Sequence, residues 1–305
     1  MELSKKLLEE FHNFGFAIKT TSIAHINELE QEIATLSKQK LLDKQLFKNY
    51  LSWLSFDEAR VLPGAKSILV IACPQLATKL NFEYYGKKYI ATFPPNYTGS
   101  ELTNRIVPLL NQVLKPGNYS FKATCLPEKL LAVRSGLGMY GRNNICYVHG
   151  MGSFYHLFSF YTDMPCVEDS WTEKTVMPEC GKCRACINVC PTHCIPGDRF
   201  LIHAEKCLTG MNEQEGEFPD WLDQSCHNAI IGCMKCQVVC PKNQGFINKN
   251  EIEITFRSEE TELILAKTPF NRLPSELQQK LDKTGLAAYY NVIPRNLTVY
   301  LSEKL

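Results

Sequence analysis

Apolar positions along the first half of the chain follow two periodicities. Leucine and isoleucine recur at three- and four-residue spacing in the segments predicted as helices, which are residues 2–15, 25–50, 102–114 and 127–134. Short apolar runs predict strands at residues 67–74, 119–125, 144–149 and 154–161. Residues 81–98 are aromatic and rich in turn formers. Because helix and strand signals alternate up to about residue 165, we predict an α/β (α+β) domain over residues 1–165.

The composition changes at Cys166. From residue 166 to about residue 250 the chain is rich in cysteine, with proline and charged residues between the cysteines. Beyond this segment, residues 251–256 have the pattern of a strand, and helical spacing follows at 259–267, 274–283 and 295–303. We therefore divide the chain into the α/β region (1–165), a cysteine-rich module (166–250) and a short helical tail (251–305).

Charge and composition narrow the class of protein. The 33 Lys and Arg residues nearly balance the 32 Asp and Glu residues, so no overall field attracts the chain to nucleic acid or to an anionic membrane. No apolar run approaches the ~18 residues that span a bilayer. The amphipathic residues 1–16 also lack the continuous apolar stretch of a signal peptide. We expect a cytoplasmic protein, whose 14 cysteines are reduced and available for metals rather than for disulfides.

The cysteine spacing is that of a bacterial ferredoxin. The run C-x2-C-x2-C-x3-C-P begins at Cys180, and the end of this run is repeated as C-x2-C-x3-C-P from Cys233. In this pattern three thiolates of one loop ligate one four-iron cluster, and the cysteine before proline ligates the other cluster. The second run lacks its first ligand, because Ile230 stands at that position. We expect Cys207 to supply the missing ligand, with Cys226 as the alternative.

The crossed pattern predicts two [4Fe–4S] clusters in a ferredoxin-like module. The predicted ligands are Cys180, Cys183, Cys186 and Cys240 for cluster one, and Cys190, Cys207, Cys233 and Cys236 for cluster two. Zinc is the competing interpretation, since paired C-x2-C motifs also bind zinc. A zinc site, however, has no use for a third equally spaced cysteine or for two Cys-Pro pairs. The other cysteines are interpreted as ordinary thiols: Cys73, Cys125, Cys146, Cys166 and Cys194.

A glycine-rich loop precedes the cysteines. Residues 136–141 match G-x-G-x-x-G, but here a predicted helix comes before the loop and a predicted strand after it. This order is the reverse of a dinucleotide-binding turn, so we do not expect a nucleotide there. The glycines permit close backbone approach, and Arg142 and Asn143 add hydrogen-bond donors, which suits a large cofactor with polar edges. A tight helix-to-strand turn is the alternative, and the loop taken by itself favours it.

Several motifs together resemble the epoxyqueuosine reductase family. In chain order they are P-G-A-K-S-I from Pro63, S-G-L-G-M-Y-G-R-N from Ser135, G-S-F from Gly152, T-D from Thr162, C-G-x-C-x-x-C-x-x-x-C-P-T from Cys180 and G-C-x-x-C-Q-x-V-C-P-x-N from Gly232. The resemblance covers roughly residues 55–245.

The resemblance implies a cobalamin that has no protein side chain as lower ligand. It would lie between the α/β domain, which is then corrinoid-binding-like, and the two-cluster module, as in the related reductive dehalogenases. Cluster two would be the cluster nearer the cobalt. The implied corrinoid contacts are Gly136, Gly138, Gly141, Arg142, Asn143, Gly152 and Ser153.

The chain departs from the family in two places. The family's catalytic aspartate belongs in a stretch that corresponds to residues 121–125, and these contain no acid. The family's C-terminal helices, which help to hold tRNA, have no counterpart in the sequence. We assign no catalytic residue, and the candidate proton donors are Lys122, Cys125, Tyr97 and Tyr161.

These features predict an iron–sulfur and cobalamin-dependent reductase that accepts electrons from a low-potential donor of the ferredoxin or flavodoxin type. The chain is consistent with a small-molecule or nucleoside-like substrate. We do not expect tRNA as a partner, because tight tRNA binding needs a basic surface. One alternative is an electron carrier or reductive activator of a corrinoid protein. Another is a genuine tRNA epoxyqueuosine reductase.

Overall fold

The N-terminal region is built on a four-stranded antiparallel sheet. A computed structural model describes residues 2–97, 100–247 and 252–302. The strands of the described residues, which are divided among three sheets, are β1 (Ala17–Ser22), β2 (Ser67–Pro74), β3 (Thr78–Tyr84), β4 (Lys87–Phe93), β5 (Phe121–Ala123), β6 (Gly138–Tyr140), β7 (Cys146–Val148), β8 (Tyr155–Thr162) and β9 (Ile252–Phe256). The central sheet has the order β1-β2-β8-β5. In its middle, β2 and β8 pair from Ser67↔Thr162 to Pro74↔Tyr155.

Helices cover both faces of this sheet. The helices of the chain are α1 (Glu2–Asn13), α2 (Ile26–Lys38), α3 (Lys44–Leu46), α4 (Glu58–Val61), α5 (Ser100–Leu114), α6 (Glu128–Arg134), α7 (Ala185–Val189), α8 (Leu208–Glu213), α9 (Lys235–Val238), α10 (Ser258–Leu265), α11 (Ser275–Thr284) and α12 (Ile293–Ser302). On β2, Ile68, Val70 and Ala72 pack with α2 and α6. The alternate residues Leu69, Ile71 and Cys73 pack with α1 and α5. This two-sided burial explains why β2 is continuously apolar rather than alternating.

The helix predicted over residues 25–50 is shorter in the structure. Helix α2 ends at Lys38, and Lys40 then adopts a left-handed conformation with φ 57°. Asp43 begins a new short helix, because its carboxylate accepts hydrogen bonds from the amides of Gln45 and Leu46, each at 2.9 Å. The periodicity of leucines continues through this break, which is why the sequence pattern predicted one helix.

A second sheet joins the aromatic segment to the C-terminal residues. Strands β3 and β4 form a hairpin, and β9 pairs in parallel with β3. The rings of Phe82 and Phe256 stack with centroids 4.8 Å apart. Helices α10, α11 and α12 cover the apolar face of this sheet. The predicted helical tail therefore begins with a strand that needs β3 as its partner, while the predicted boundary at residues 250 and 251 lies outside the described residues.

The cysteine-rich module contains little regular structure. Helices α7, α8 and α9 have four to six residues each, and turns and loops connect them. The prediction of a mixed α/β protein with a cysteine module is thus confirmed at the level of its elements. Within the described ranges, no helix is both long and apolar enough to cross a membrane.

We predict that Phe256→Ala lowers the free energy of unfolding by about 3–5 kcal/mol, because it leaves a cavity beside Phe82. Phe256 is fully buried, whereas Ile252 on the same strand is 52% exposed. Ile252→Ala is the matched control and should change stability by less than ~0.5 kcal/mol. Chemical denaturation of both variants measures the difference. Equal effects would contradict the packing of β9 described above.

Candidate functional site

The two cysteine runs form similar turns that face each other. Each run contains a short helix before its last cysteine, α7 or α9, and these two helices pack together. Cys190 and Cys240 end the runs with an extended backbone, at φ −66° and −71°. Each is followed by proline, which directs the chain out of the loop. The last cysteine of each run is therefore presented away from the other cysteines of its own loop.

Four of the thiols line one pocket. Its walls include Cys180, Cys183, Cys186 and Cys240, with Tyr147 and Met177 beside them. The pKa of the Cys186 thiol is raised, first by burial and then by Cys180 and Cys183. This is the grouping predicted for cluster one, including the crossed contribution of Cys240.

The second group contains five thiols rather than four. Burial raises the pKa of Cys233 to about 11, and it also raises the pKa of Cys236. The nearby Cys207 thiol adds to the increase in both pKa values. The sulfur of Cys190 lies 3.4 Å from that of Cys194. Contact with the Cys194 thiol is the first cause that lowers the pKa of Cys190, to about 5, and that of Cys207, to about 7. From the sequence we interpreted Cys194 as an ordinary thiol, because the cysteine spacing does not assign it to this group.

Cys226 is beside this group but points elsewhere. Its sulfur donates to the carbonyl oxygen of Pro191 at 3.2 Å. Among the described residues, no three His, Cys, Asp or Glu side chains are arranged to hold a single metal ion. A four-iron cluster places each thiolate on a separate iron, so spaced groups of four thiols suit clusters better than they suit zinc.

The glycines of the 136–141 loop are required by the loop's own packing. A Cβ on Gly138 would lie 2.6 Å from the Cys146 sulfur, across the β6–β7 hairpin. A Cβ on Gly141 would lie 2.6 Å from the ring of Tyr147, and Gly136 has a φ of 69°. These residues therefore form the tight turn that was the alternative interpretation.

Arg142 connects this loop to the first cysteine run. Its guanidinium donates to the carbonyl oxygen of Cys180 at 2.8 and 3.2 Å, and to that of Gly197 at 3.3 Å. The side-chain amide of the buried Asn143 donates to the Tyr147 hydroxyl at 3.1 Å. Both side chains were predicted to meet a corrinoid, whereas here they make contacts within the protein.

Gly152 and Ser153 contact the second cysteine run in a similar way. The Ser153 amide donates to the side-chain oxygen of Asn243 at 2.9 Å, and its hydroxyl donates to Gln237 at 2.8 Å. Gly152 has a φ of 57°, and a Cβ there would overlap the Asn243 side chain. The predicted cofactor residues thus attach the α/β region to the cysteine module.

The candidate proton donors have different surroundings. Lys122 and Cys125 are exposed. Tyr161 is fully buried and its hydroxyl has no hydrogen-bond partner within the described ranges. The Tyr97 hydroxyl donates to the carboxylate of Glu213.

Two carboxyl groups with raised pKa values were not predicted from the sequence. Burial raises the pKa of Glu128 to about 7 against an opposing hydrogen bond from Ser159. Burial also raises the pKa of Glu213. Neither residue belongs to a motif, and no spacing signal distinguishes it from a surface glutamate. Only the fold reveals that both side chains are largely removed from water.

Comparison with known proteins supports the iron–sulfur assignment. Residues 179–243 match the family model described as a 4Fe-4S double cluster binding domain. The epoxyqueuosine reductase of Bacillus cereus is 33% identical over an alignment of 239 positions, and the alignment covers 71% of this chain and 60% of that protein. The enzyme of Escherichia coli is 35% identical over 118 residues, which are 38% of this chain and 30% of that protein. The chain is epoxyqueuosine reductase-like. It spans at most 60% of the length of these relatives.

Solved structures share the fold. The epoxyqueuosine reductase of Streptococcus thermophilus superposes with a TM-score of 0.69 at 21% identity, covering 100% of this chain and 82% of that chain. An epoxyqueuosine reductase with an epoxyqueuosine-modified tRNA stem loop superposes with a TM-score of 0.70 at 22% identity, covering 99% and 81%. The prediction of a double-cluster module is confirmed by the family model. The prediction that tRNA is not a partner, with a small-molecule substrate instead, is contradicted by this tRNA-bound relative and by the names of the sequence relatives.

We predict that Arg142→Ala weakens the first cysteine run. It removes charge-assisted hydrogen bonds to two loop carbonyls, for an expected loss of about 1.5–3 kcal/mol. Lys242→Ala is the control, since Lys242 pairs with Glu179 on the exposed side of the module and should contribute less than ~1 kcal/mol. Thermal unfolding and iron retention in the presence of a chelator are the measurements. Faster iron loss from the Lys242 variant would contradict the assigned role of Arg142.

Proposed function

We propose that the chain is a tRNA epoxyqueuosine reductase, which reduces the epoxide of a modified nucleoside within a tRNA stem loop. The observation that carries the proposal is the 33% identity with the Bacillus cereus reductase over 239 residues. The relative with a tRNA stem loop supports the choice of substrate, because this chain shares its fold over 99% of its length. The near-zero net charge is a sum over the whole chain. It does not exclude a local basic surface that could bind tRNA.

The cysteines would hold the two clusters in the crossed arrangement. Cluster one would use the four thiols that line one pocket, Cys180, Cys183, Cys186 and Cys240. Cluster two would use Cys190, Cys207, Cys233 and Cys236. The electrostatic coupling of Cys233 and Cys236 with Cys207 supports this choice, as does the direction of the Cys226 thiol. Clusters ligated in this way carry single electrons.

Reduction of an epoxide takes up two electrons and two protons, whether the oxygen remains as a hydroxyl or leaves as water. The two clusters would deliver the electrons one at a time to the substrate side of the protein. The protons must come from side chains or water in contact with the substrate. The stretch that corresponds to the family's aspartate offers no acid, so another group must supply them.

Cobalamin is part of the proposal because of the family resemblance. When bound, a corrinoid supplies a reducible metal centre that carries the bond-breaking chemistry. The predicted side-chain donors Arg142, Asn143 and Ser153 already hydrogen-bond within the protein. These side chains are thus engaged within the protein, and we derive no chemical step from the cofactor.

The ligand assignment predicts different results for two cysteines. Cys207→Ala should remove one of the two reduced-cluster signals in electron paramagnetic resonance and about half of the iron, since each cluster holds four irons. Cys226→Ala is the matched control and should retain both signals. The reverse result would exchange the ligands, and iron loss in neither variant would contradict the crossed scheme.

The function itself predicts turnover of a defined substrate. Anaerobically purified protein with both clusters, cobalamin and a low-potential chemical reductant should convert epoxyqueuosine in tRNA, measured by mass spectrometry of the digested nucleosides. Cys183→Ala should reduce this conversion at least 100-fold, because it removes a predicted ligand of cluster one. If the intact protein carries both clusters and binds cobalamin but leaves the tRNA unchanged, an electron carrier becomes the better description.

A further inference from the structure

A carboxylate and two phenols meet beside the second cysteine run. Glu213 is the last residue of α8, the helix that begins directly after Cys207. The Tyr97 hydroxyl donates a hydrogen bond to its carboxyl group, and the Tyr50 hydroxyl lies near enough to the same group for each to affect the other's pKa. These three side chains come from distant parts of the chain, so their meeting depends on the fold alone.

The position of Glu213 is tightly controlled by its neighbour. The side-chain amide of the fully buried Asn212 donates to the carbonyl oxygens of Ala229 and Gly232, at 3.3 and 3.0 Å. The Asn212 carbonyl in turn accepts from the Asn296 amide at 2.7 Å. This network joins α8 to the loop before Cys233 and to α12. The Glu213 carboxylate is therefore placed by a rigid support, as a group that transfers protons requires.

The surroundings of Glu213 raise its pKa. The titratable groups that face it are Tyr50, Tyr97, Tyr289 and Lys129. Burial raises the pKa of the Glu213 carboxyl, while the hydrogen bonds from the phenols and the charge of Lys129 oppose this effect. Burial and the neighbouring carboxylate raise the pKa of Tyr50 to about 12 and also raise that of Tyr97. All three groups thus retain protons to higher pH than in water.

The three side chains also span a path. Tyr50 is 42% exposed at the surface. Tyr97 is half-buried and its ring packs against Gly232, where a Cβ would lie 3.4 Å from the ring. Gly232 directly precedes Cys233 of the second group. The path therefore runs from solvent, through the carboxylate, to the side of the module that holds cluster two.

We propose that Tyr50, Glu213 and Tyr97 form a proton relay that serves the reduction of the epoxide in place of the absent aspartate. This inference rests on the proposed function. When Glu213 is protonated it donates to the Tyr97 oxygen, which frees the Tyr97 hydroxyl proton to pass to the epoxide oxygen as a carbon–oxygen bond breaks. The electrons come through the clusters from a low-potential one-electron reductant. The Tyr97 phenolate then takes a proton from Glu213, which is reprotonated from solvent through Tyr50. A second passage of the relay supplies the second proton.

The test compares isosteric variants in the fully loaded protein. Tyr97→Phe and Glu213→Gln should lower kcat at least 100-fold, the usual contribution of a positioned acid. The KM for tRNA, the iron content and the rate of cluster reduction should not change. Glu213→Asp should restore part of the activity. Tyr289→Phe is the matched control and should retain full kcat, because the Tyr289 ring meets Tyr97 edge-on without belonging to the relay.

Further measurements separate a relay from a structural role. Glu213→Gln should change the pH profile of kcat, and it should remove one of the infrared carbonyl bands that persist to higher pH than those of ordinary exposed carboxyl groups. Activity of both variants within twofold of wild type would overturn the inference alone. Loss of iron together with loss of activity would also overturn it, since the pair would then be structural. If wild-type protein does not convert the tRNA, the proposed function fails and the inference fails with it.

Discussion

Hydrogen bonds from the α/β region determine where the cysteine thiols lie. The cysteine runs have few regular elements, so their loops contribute little order of their own. Arg142 holds the carbonyl of Cys180, and Ser153 holds the side chain of Asn243, which closes the second run. Buried hydrogen bonds of this kind are costly to leave unmade, so the loops can adopt few other positions. Electron transfer through the two clusters would depend on this attachment.

The two-cluster module was predictable because metal chemistry imposes spacing on the sequence. A cubane needs thiolates at fixed separations, and the C-x2-C-x2-C run supplies them locally. The same reasoning could not find Cys194, whose sulfur lies 3.4 Å from that of Cys190. It also left Cys207 and Cys226 as alternatives. What separates these two is the direction of each thiol, and the direction follows from tertiary packing around Pro191.

The second sheet and the contacts of the 136–141 loop, by contrast, could not be predicted from local sequence patterns. The pairing of β9 with β3 joins residues such as Phe256 and Phe82, which are far apart in sequence, so no local pattern signals it. At the loop, the motif correctly indicated that Gly138 and Arg142 need a close polar neighbour. In the structure the backbone supplies such neighbours: a Cβ on Gly138 would lie 2.8 Å from the Tyr147 carbonyl oxygen, and Arg142 donates to the carbonyl oxygen of Cys180. A motif indicates a steric and hydrogen-bonding requirement, and the group that satisfies this requirement depends on the fold.

Gly232 lies between the proposed electron path through cluster two and the proposed proton path through Tyr97. Gly232 has a φ of 70°, and a Cβ there would lie 2.6 Å from the ring of Pro94. Its missing side chain lets the segment that carries Tyr97 pack directly on the backbone that leads into Cys233. Electrons leaving cluster two and protons leaving Tyr97 would therefore emerge on the same side of this backbone. Since charge transfer to an epoxide requires both within contact of the substrate, the substrate's nucleoside would have to approach from the side where Pro94, Tyr97 and the second cysteine run meet.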